Sequence, residues 1–75
     1  NMNKEAQRKA IASARYFKNK GEIDMWHSVW HEGKPYDYHL YKEDGVSEVY
    51  IYEVKKVNGQ YHVDTGTTLH IHTFK

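Results

Sequence analysis

Apolar positions near the start of the chain recur at the spacing of a helix. Residues 3–19 contain no glycine or proline and are rich in strong helix formers. Asn3 is a suitable N-cap and Gly21 a suitable C-terminal stop. At about 100° per residue, one side of the segment collects small apolar residues and one aromatic ring: Ala6, Ala10, Ala14 and Phe17. The pattern predicts an amphipathic helix whose buried stripe consists mostly of methyl groups.

After Gly21 the pattern changes to that of strands. β-Branched and aromatic residues dominate, and the turn sequences "EGKP", "EDGV", "VNGQ" and "DTGT" recur at short intervals. Strands are predicted at about 23–31, 36–42, 47–57, 60–63 and 67–74. Such short connections join antiparallel neighbours. Residues 1–75 are therefore predicted to form a single domain of the α+β class. Its N-terminal helix packs on one face of a four- to five-stranded antiparallel β-meander over about 23–74.

The turn sequences also predict how the strands are paired. Asp44-Gly45 and Asn58-Gly59 are typical two-residue hairpin loops. We interpret residues 32–35 as a four-residue loop, and residues 64–66 as a three-residue loop that leads into a separate last strand. Alternate residues then lie on opposite faces of the sheet, and neither face is mainly charged.

One short helix can cover only one of these two faces. The alanine stripe is expected to lie on the bulkier face, which contains Trp26 and Trp30. The other face would stay exposed, and a broad apolar surface with tyrosines is typical of a binding site. Self-association would cover it and add to a small core. The predicted interface consists of Tyr36, Tyr38, Val49, Ile51, His70 and His72.

Charge is unevenly distributed along the chain, although the net charge is only +1. Residues 1–20 hold six basic residues and one acidic residue, a net charge of +5, whereas residues 21–75 hold five and nine, a net charge of −4. The basic residues that cluster on one flank of the helix form a candidate anion-binding surface: Lys4, Arg8, Arg15 and Lys18. With tyrosines to stack on bases, this surface makes a nucleic-acid-binding protein an alternative function.

Histidine is the main candidate for site chemistry, because the chain has six histidines and no cysteine. On the predicted register His62, His70 and His72 share one face, and three imidazoles can bind zinc with an open position. A small His-dependent ribonuclease is a further alternative, because it needs only His, Lys, Arg and Tyr around a phosphate. No phosphate loop, dinucleotide fingerprint or nucleophile elbow is present. The sequence singles out no enzyme, and no cofactor is expected.

Location and function are inferred from size and composition. No apolar run is long enough for a signal peptide or a membrane span. With Met2 interpreted as the initiator, we expect a cytoplasmic protein that does not bind membranes. Cystatin-like domains and small ribonuclease toxins share the helix-first order, but no motif of either is present, so the order indicates no function. We expect a small non-enzymatic protein-interaction module of prokaryotic or phage origin, regulatory or accessory, that forms a homodimer or binds another protein.

Overall fold

The computed structural model describes residues 2–75 and contains one helix followed by four antiparallel strands. Helix α1 spans Lys4–Asn19, and the strands are β1 Met25–His31, β2 Lys34–Glu43, β3 Val46–Val57 and β4 Gln60–Phe74. The strands lie side by side in chain order, β1-β2-β3-β4. The predicted α+β class, with a helix on an antiparallel meander, is confirmed. Within residues 2–75 no helix is both long enough and apolar enough to cross a membrane.

Helix α1 begins and ends at the residues that its capping pattern indicates. The Asn3 side-chain oxygen accepts a hydrogen bond from the backbone N–H of Ala6 at 2.9 Å. At the other end, Lys20 and Gly21 donate their backbone N–H groups to carbonyls of the last turn, each at 3.0 Å. Gly21 has φ +85°, a left-handed conformation that glycine adopts without a steric cost. The predicted caps are therefore confirmed.

The three connections between strands are all two-residue turns with positive φ at both positions. The turns at Asp44-Gly45 and Asn58-Gly59 confirm the sequence prediction. The four-residue loop predicted at 32–35 is wrong, because Glu32-Gly33 alone forms the turn and His31 pairs with Lys34. Pro35 has no backbone N–H to donate and is tolerated in β2, because the pairing of β2 with β3 starts only at the next residue, Tyr36. The observed pairing of β1 with β2 differs from the predicted pairing by two residues, an even number, so every side chain stays on its predicted face of the sheet.

Residues 60–74 form one strand, not the two strands that the sequence predicts. The expected loop at 64–66 is a bulge over residues 65–68, and β4 stays beside β3 on both sides of it. The Thr67 hydroxyl donates to the carbonyl of Asp64 at 2.6 Å and accepts the backbone N–H of Glu53 at 2.8 Å. The backbone N–H of Glu53 thus bonds to a side-chain hydroxyl of the bulge, and the chain continues along β3 instead of turning back.

Helix α1 covers the sheet face opposite to the one we expected. The large side chains buried beneath it, each no more than 4% exposed, are Tyr36, Tyr38, Leu40, Val49 and Ile51. Ala6, Ala10 and Ala14 are fully buried against them. The expectation that the helix packs on Trp26 and Trp30 is therefore wrong. The Trp26 face has Asp37 and Glu48 at inner positions of β2 and β3, where the covered face has tyrosine and aliphatic side chains, and burial of these carboxylates under a helix would be costly.

Tyr38 at the centre of the core gives the stability a defined pH dependence. Burial raises the pKa of its phenol above the ordinary value of 10.0, and a hydrogen bond with Ser13 partly opposes this. Because the folded state holds the phenol neutral, its contribution to stability is complete below pH 10 and is lost as the pH rises toward the higher folded pKa. We expect urea midpoints measured at about pH 8 and about pH 11 to differ more for the wild type than for Tyr38→Phe. An equal loss in both proteins would show that the Tyr38 phenol ionises freely.

Candidate functional site: the open sheet face

The sheet side opposite helix α1 is uncovered by any residue from 2 to 75 and is called the open face here. Three of its large side chains are half-exposed: Trp26 at 51%, Trp30 at 51% and Tyr61 at 54%. Strand alternation and pairing bring further rings and carboxylates to the same side. The open face is defined by Trp26, Trp30, His39, Tyr41, Tyr50, Tyr52, Tyr61 and His70 with Asp37, Glu43 and Glu48.

At one end of the open face, the rings pack against one another around His39. The Trp26 and His39 rings are stacked, with centroids 4.6 Å apart and planes 5° apart, and Tyr52 lies 5.1 Å from Trp26. Tyr41 approaches the other side of His39 at 5.7 Å. The His39 Nε2 lies 2.9 Å from the Asp24 Oδ1, which fixes the direction of the imidazole. This end is therefore a pre-ordered aromatic surface.

At the other end, rings from the two edge strands meet. The Trp30 ring of β1 and the Tyr61 ring of β4 contact edge to face, with centroids 6.0 Å apart and planes 87° apart. The Lys56 ammonium lies 5.2 Å from the Tyr61 ring, close enough for a cation–π contact. Because β1 and β4 are the outer strands, the aromatic surface extends across the whole width of the sheet.

Carboxylates lie among these rings and make the open face acidic. The Glu48 Oε1 is 2.9 Å from the His70 Nε2, and Thr73 donates its hydroxyl to the same carboxylate at 3.3 Å. The Ser28 hydroxyl donates to Asp37 at 2.6 Å. On the paired strand positions of this side, the carboxylates Asp37, Glu43 and Glu48 are accompanied by Lys56 as the basic residue.

The structure changes which residues can form an interface. Of the predicted interface, it buries Tyr36, Tyr38, Val49 and Ile51 beneath helix α1, so these four cannot contact a partner while the fold is intact. His70 lies on the open face opposite Tyr50, whereas His72 lies opposite Val49 on the covered side. The sequence pattern did not predict that Trp26, Trp30 and Tyr61 are exposed. The signal that identifies their face is the pair of carboxylates Asp37 and Glu48 at inner positions of β2 and β3.

The three histidines considered for zinc do not come together. The β4 register shifts by one residue at Ile71, which turns His70 and His72 to opposite faces. His62 lies opposite Lys55, on the far side of the bulge. Residues 2–75 contain no group of three or more His, Cys, Asp or Glu side chains that could hold a metal ion. The fold therefore separates the predicted zinc ligands.

The predicted anion-binding residues lie on the opposite layer of the molecule from the open face. Arg15 and Lys18 both lie over the Phe74 ring, each 5.4 Å from its centroid. Arg8 is paired with Glu5 one turn earlier, and Lys4 is exposed at the start of the helix. A nucleic-acid strand stacked on the open-face tyrosines would thus lie across the sheet from this basic cluster. The basic helix residues and the open-face tyrosines, which together suggested nucleic-acid binding, therefore do not form one surface.

Comparisons of this chain with protein-family models, with curated proteins and with solved structures gave no match.

Proposed function

We propose that this protein is a non-enzymatic interaction module that self-associates through the open face. The observation that carries the proposal is the exposure of Trp26, Trp30 and Tyr61, at 51%, 51% and 54%, on one continuous surface. Contiguous apolar surface is typical of interaction sites. Tryptophan and tyrosine are the residues most enriched where binding energy is concentrated. A regulatory or accessory role in the cytoplasm, as expected from the sequence, forms part of this proposal.

The size of the open face favours a second copy of the chain as its occupant. Strand β2 has 10 residues, about 33 Å at about 3.3 Å per residue, and four strands about 4.8 Å apart span roughly 19 Å, so the open face presents on the order of 600–800 Å². Each partner in a standard protein–protein interface contributes about this area. The core is small, because three of the nine buried apolar residues among residues 2–75 are alanines. Burial of the open face by a second copy would add apolar area to this core.

The polar groups of the open face are more typical of a binding surface than of a catalytic centre. His39 is held by Asp24 at 2.9 Å, and His70 by Glu48 at 2.9 Å. These pairs fix side-chain positions in the free protein, so binding would cost little ordering entropy. The rings of Trp26 and Trp30 can then act as anchors for a partner.

The variant Trp26→Thr/Trp30→Thr tests this proposal, since threonine keeps the strand propensity while removing both indoles. We expect the wild type to associate with increasing concentration in sedimentation velocity between about 1 μM and about 1 mM. In the double variant the dissociation constant should rise by about 1,000-fold, because two anchor residues of about 2 kcal/mol each are lost.

Val57→Thr is the matched control, because Val57 is 43% exposed but points to the other side of the sheet, opposite Gln60. Its association should equal that of the wild type. Far-UV circular dichroism of each variant confirms that the fold is kept. A wild type that stays monomeric up to about 1 mM would refute self-association through the open face.

A further inference from the structure

The two layers of the molecule carry opposite charge. The side of helix α1 that points away from the sheet presents Lys4 and Arg8, with Glu5 paired to Arg8, and Arg15 is exposed on its flank over the Phe74 ring. On the other layer, the open face presents Asp37, Glu43 and Glu48, with Lys56 as the basic residue of its paired strand positions. The domain therefore has a basic surface on its helix side and an acidic surface on its open face.

This separation bears on how two copies can meet. In a two-fold symmetric dimer the same patch faces itself, so the acidic open face would oppose an identical acidic face. Like charges brought together in an interface are unfavourable by several kcal/mol. The outward side of helix α1 has the complementary sign. Arg8 contacts Glu5 and Arg15 contacts Phe74 within one copy, but both are exposed. Exposed arginines can pair with carboxylates and stack on indole rings such as those of Trp26 and Trp30.

The shape of the helix also suits the open face. Ala12 is exposed between Arg8 and Arg15 on the outward side, and its small side chain leaves space for an aromatic ring to approach the helix backbone. Helix α1 has 16 residues and is therefore about 24 Å long, within the 39 Å length of the molecule. The same helix already packs across the opposite face of this sheet.

We infer that the protein self-associates head to tail, with the outward side of helix α1 of one copy seated on the open face of the next. This inference rests on the proposed function and names the partner surface for it. An open-ended assembly of this kind has an unoccupied open face at one end and an unoccupied helix surface at the other. Such heterologous contacts produce rings or open-ended chains of copies, whereas a two-fold dimer stops at two.

The test uses two variants that each disable one of the two surfaces. Arg8→Glu/Arg15→Glu reverses the charge of the helix surface and keeps the open face, while Trp26→Thr/Trp30→Thr removes the indoles and keeps the helix surface. Each variant alone should sediment as a monomer where the wild type forms oligomers. An equimolar mixture should form a 1:1 pair and no larger species, with a dissociation constant within about threefold of the wild-type value.

Lys42→Glu/Lys55→Glu is the control for the change in net charge, because both lysines are exposed strand residues that belong neither to helix α1 nor to the open face. It should associate like the wild type. If the Arg8→Glu/Arg15→Glu variant associates like the wild type while Trp26→Thr/Trp30→Thr stays monomeric, the head-to-tail arrangement is wrong. The open face would still be the interface in that case. Two folded monomeric variants that fail to pair when mixed would also overturn the head-to-tail arrangement. A monomeric wild type would refute the proposed function itself.

Discussion

Replacement of Tyr38 by alanine is expected to leave about half of the molecules or more unfolded at 25 °C. Tyr38 is fully buried and is among the largest side chains of the core. Removal of a buried aromatic side chain costs about 3–5 kcal/mol, through lost apolar burial and the cavity that remains. A domain of this size obtains only about 3–5 kcal/mol from its whole core. The loss therefore equals the entire expected stability of the monomer.

Two further variants show that this effect comes from the ring and its burial. Tyr38→Phe keeps the ring but removes the hydrogen bond with the Ser13 hydroxyl at 2.7 Å, which should cost about 0.5–1.5 kcal/mol. Tyr61→Ala removes a ring that is 54% exposed and contacts Trp30 and Lys56, and the stability of the dilute monomer should fall by only about 0.5–1.5 kcal/mol. Urea unfolding followed by far-UV circular dichroism measures all three. A Tyr38→Ala protein with the wild-type midpoint would refute the assigned core.

Ala10→Leu should have the second-largest effect on stability, although leucine and alanine are both strong helix formers. Ala10 is fully buried between helix α1 and the sheet. The larger side chain has no space there and would push the helix away from the strands. Overpacking of this kind typically costs about 1–3 kcal/mol. We expect the urea midpoint to fall accordingly.

Ala12→Leu is the matched comparison, because Ala12 lies two residues further along the same helix and is exposed. The same substitution there should change the free energy of unfolding by about 0.5 kcal/mol or less. Both proteins need to be compared at a concentration at which the wild type is monomeric. Equal losses at the two positions would indicate that the alanine stripe does not pack against the sheet.

The helix, its ends and two of the turns could be predicted because their signals are local. Asn3 satisfies a backbone N–H three residues away, and Gly21 supplies a conformation that few other residues adopt easily. Asp44-Gly45 and Asn58-Gly59 adopt the turn that their dipeptides favour in isolation. None of these features depends on contacts with distant parts of the chain.

The form of the last strand was not predictable from its turn sequence. The sequence "DTGT" suits a loop and also suits a bulge. The choice depends on the hydrogen bond between the Thr67 hydroxyl and the backbone of Glu53, which is 14 residues away. A single extra residue at Ile71 then decides which faces His70 and His72 occupy. The three histidines considered as a zinc site are separated by this shift, which strand alternation alone cannot reveal.

The face that helix α1 covers could have been predicted from charge, but not from apolar pattern. Both faces carry tyrosines and aliphatic side chains, so periodicity does not distinguish them. Carboxylates at Asp37, Glu43 and Glu48 fall on the same side, and burial of that side would remove them from water. The face of Tyr38 and Ile51 has apolar residues at the corresponding central positions. The position of the candidate site follows from that difference.

The placement of both tryptophans has a spectroscopic consequence. Trp26 and Trp30 are the two indoles of the chain, and both lie half-exposed on the open face, outside the core. Intrinsic tryptophan fluorescence of this protein is therefore a label-free signal of what occupies that surface. Emission should move to shorter wavelength when any partner excludes water from the indoles, and it should report only weakly on the packing beneath the helix.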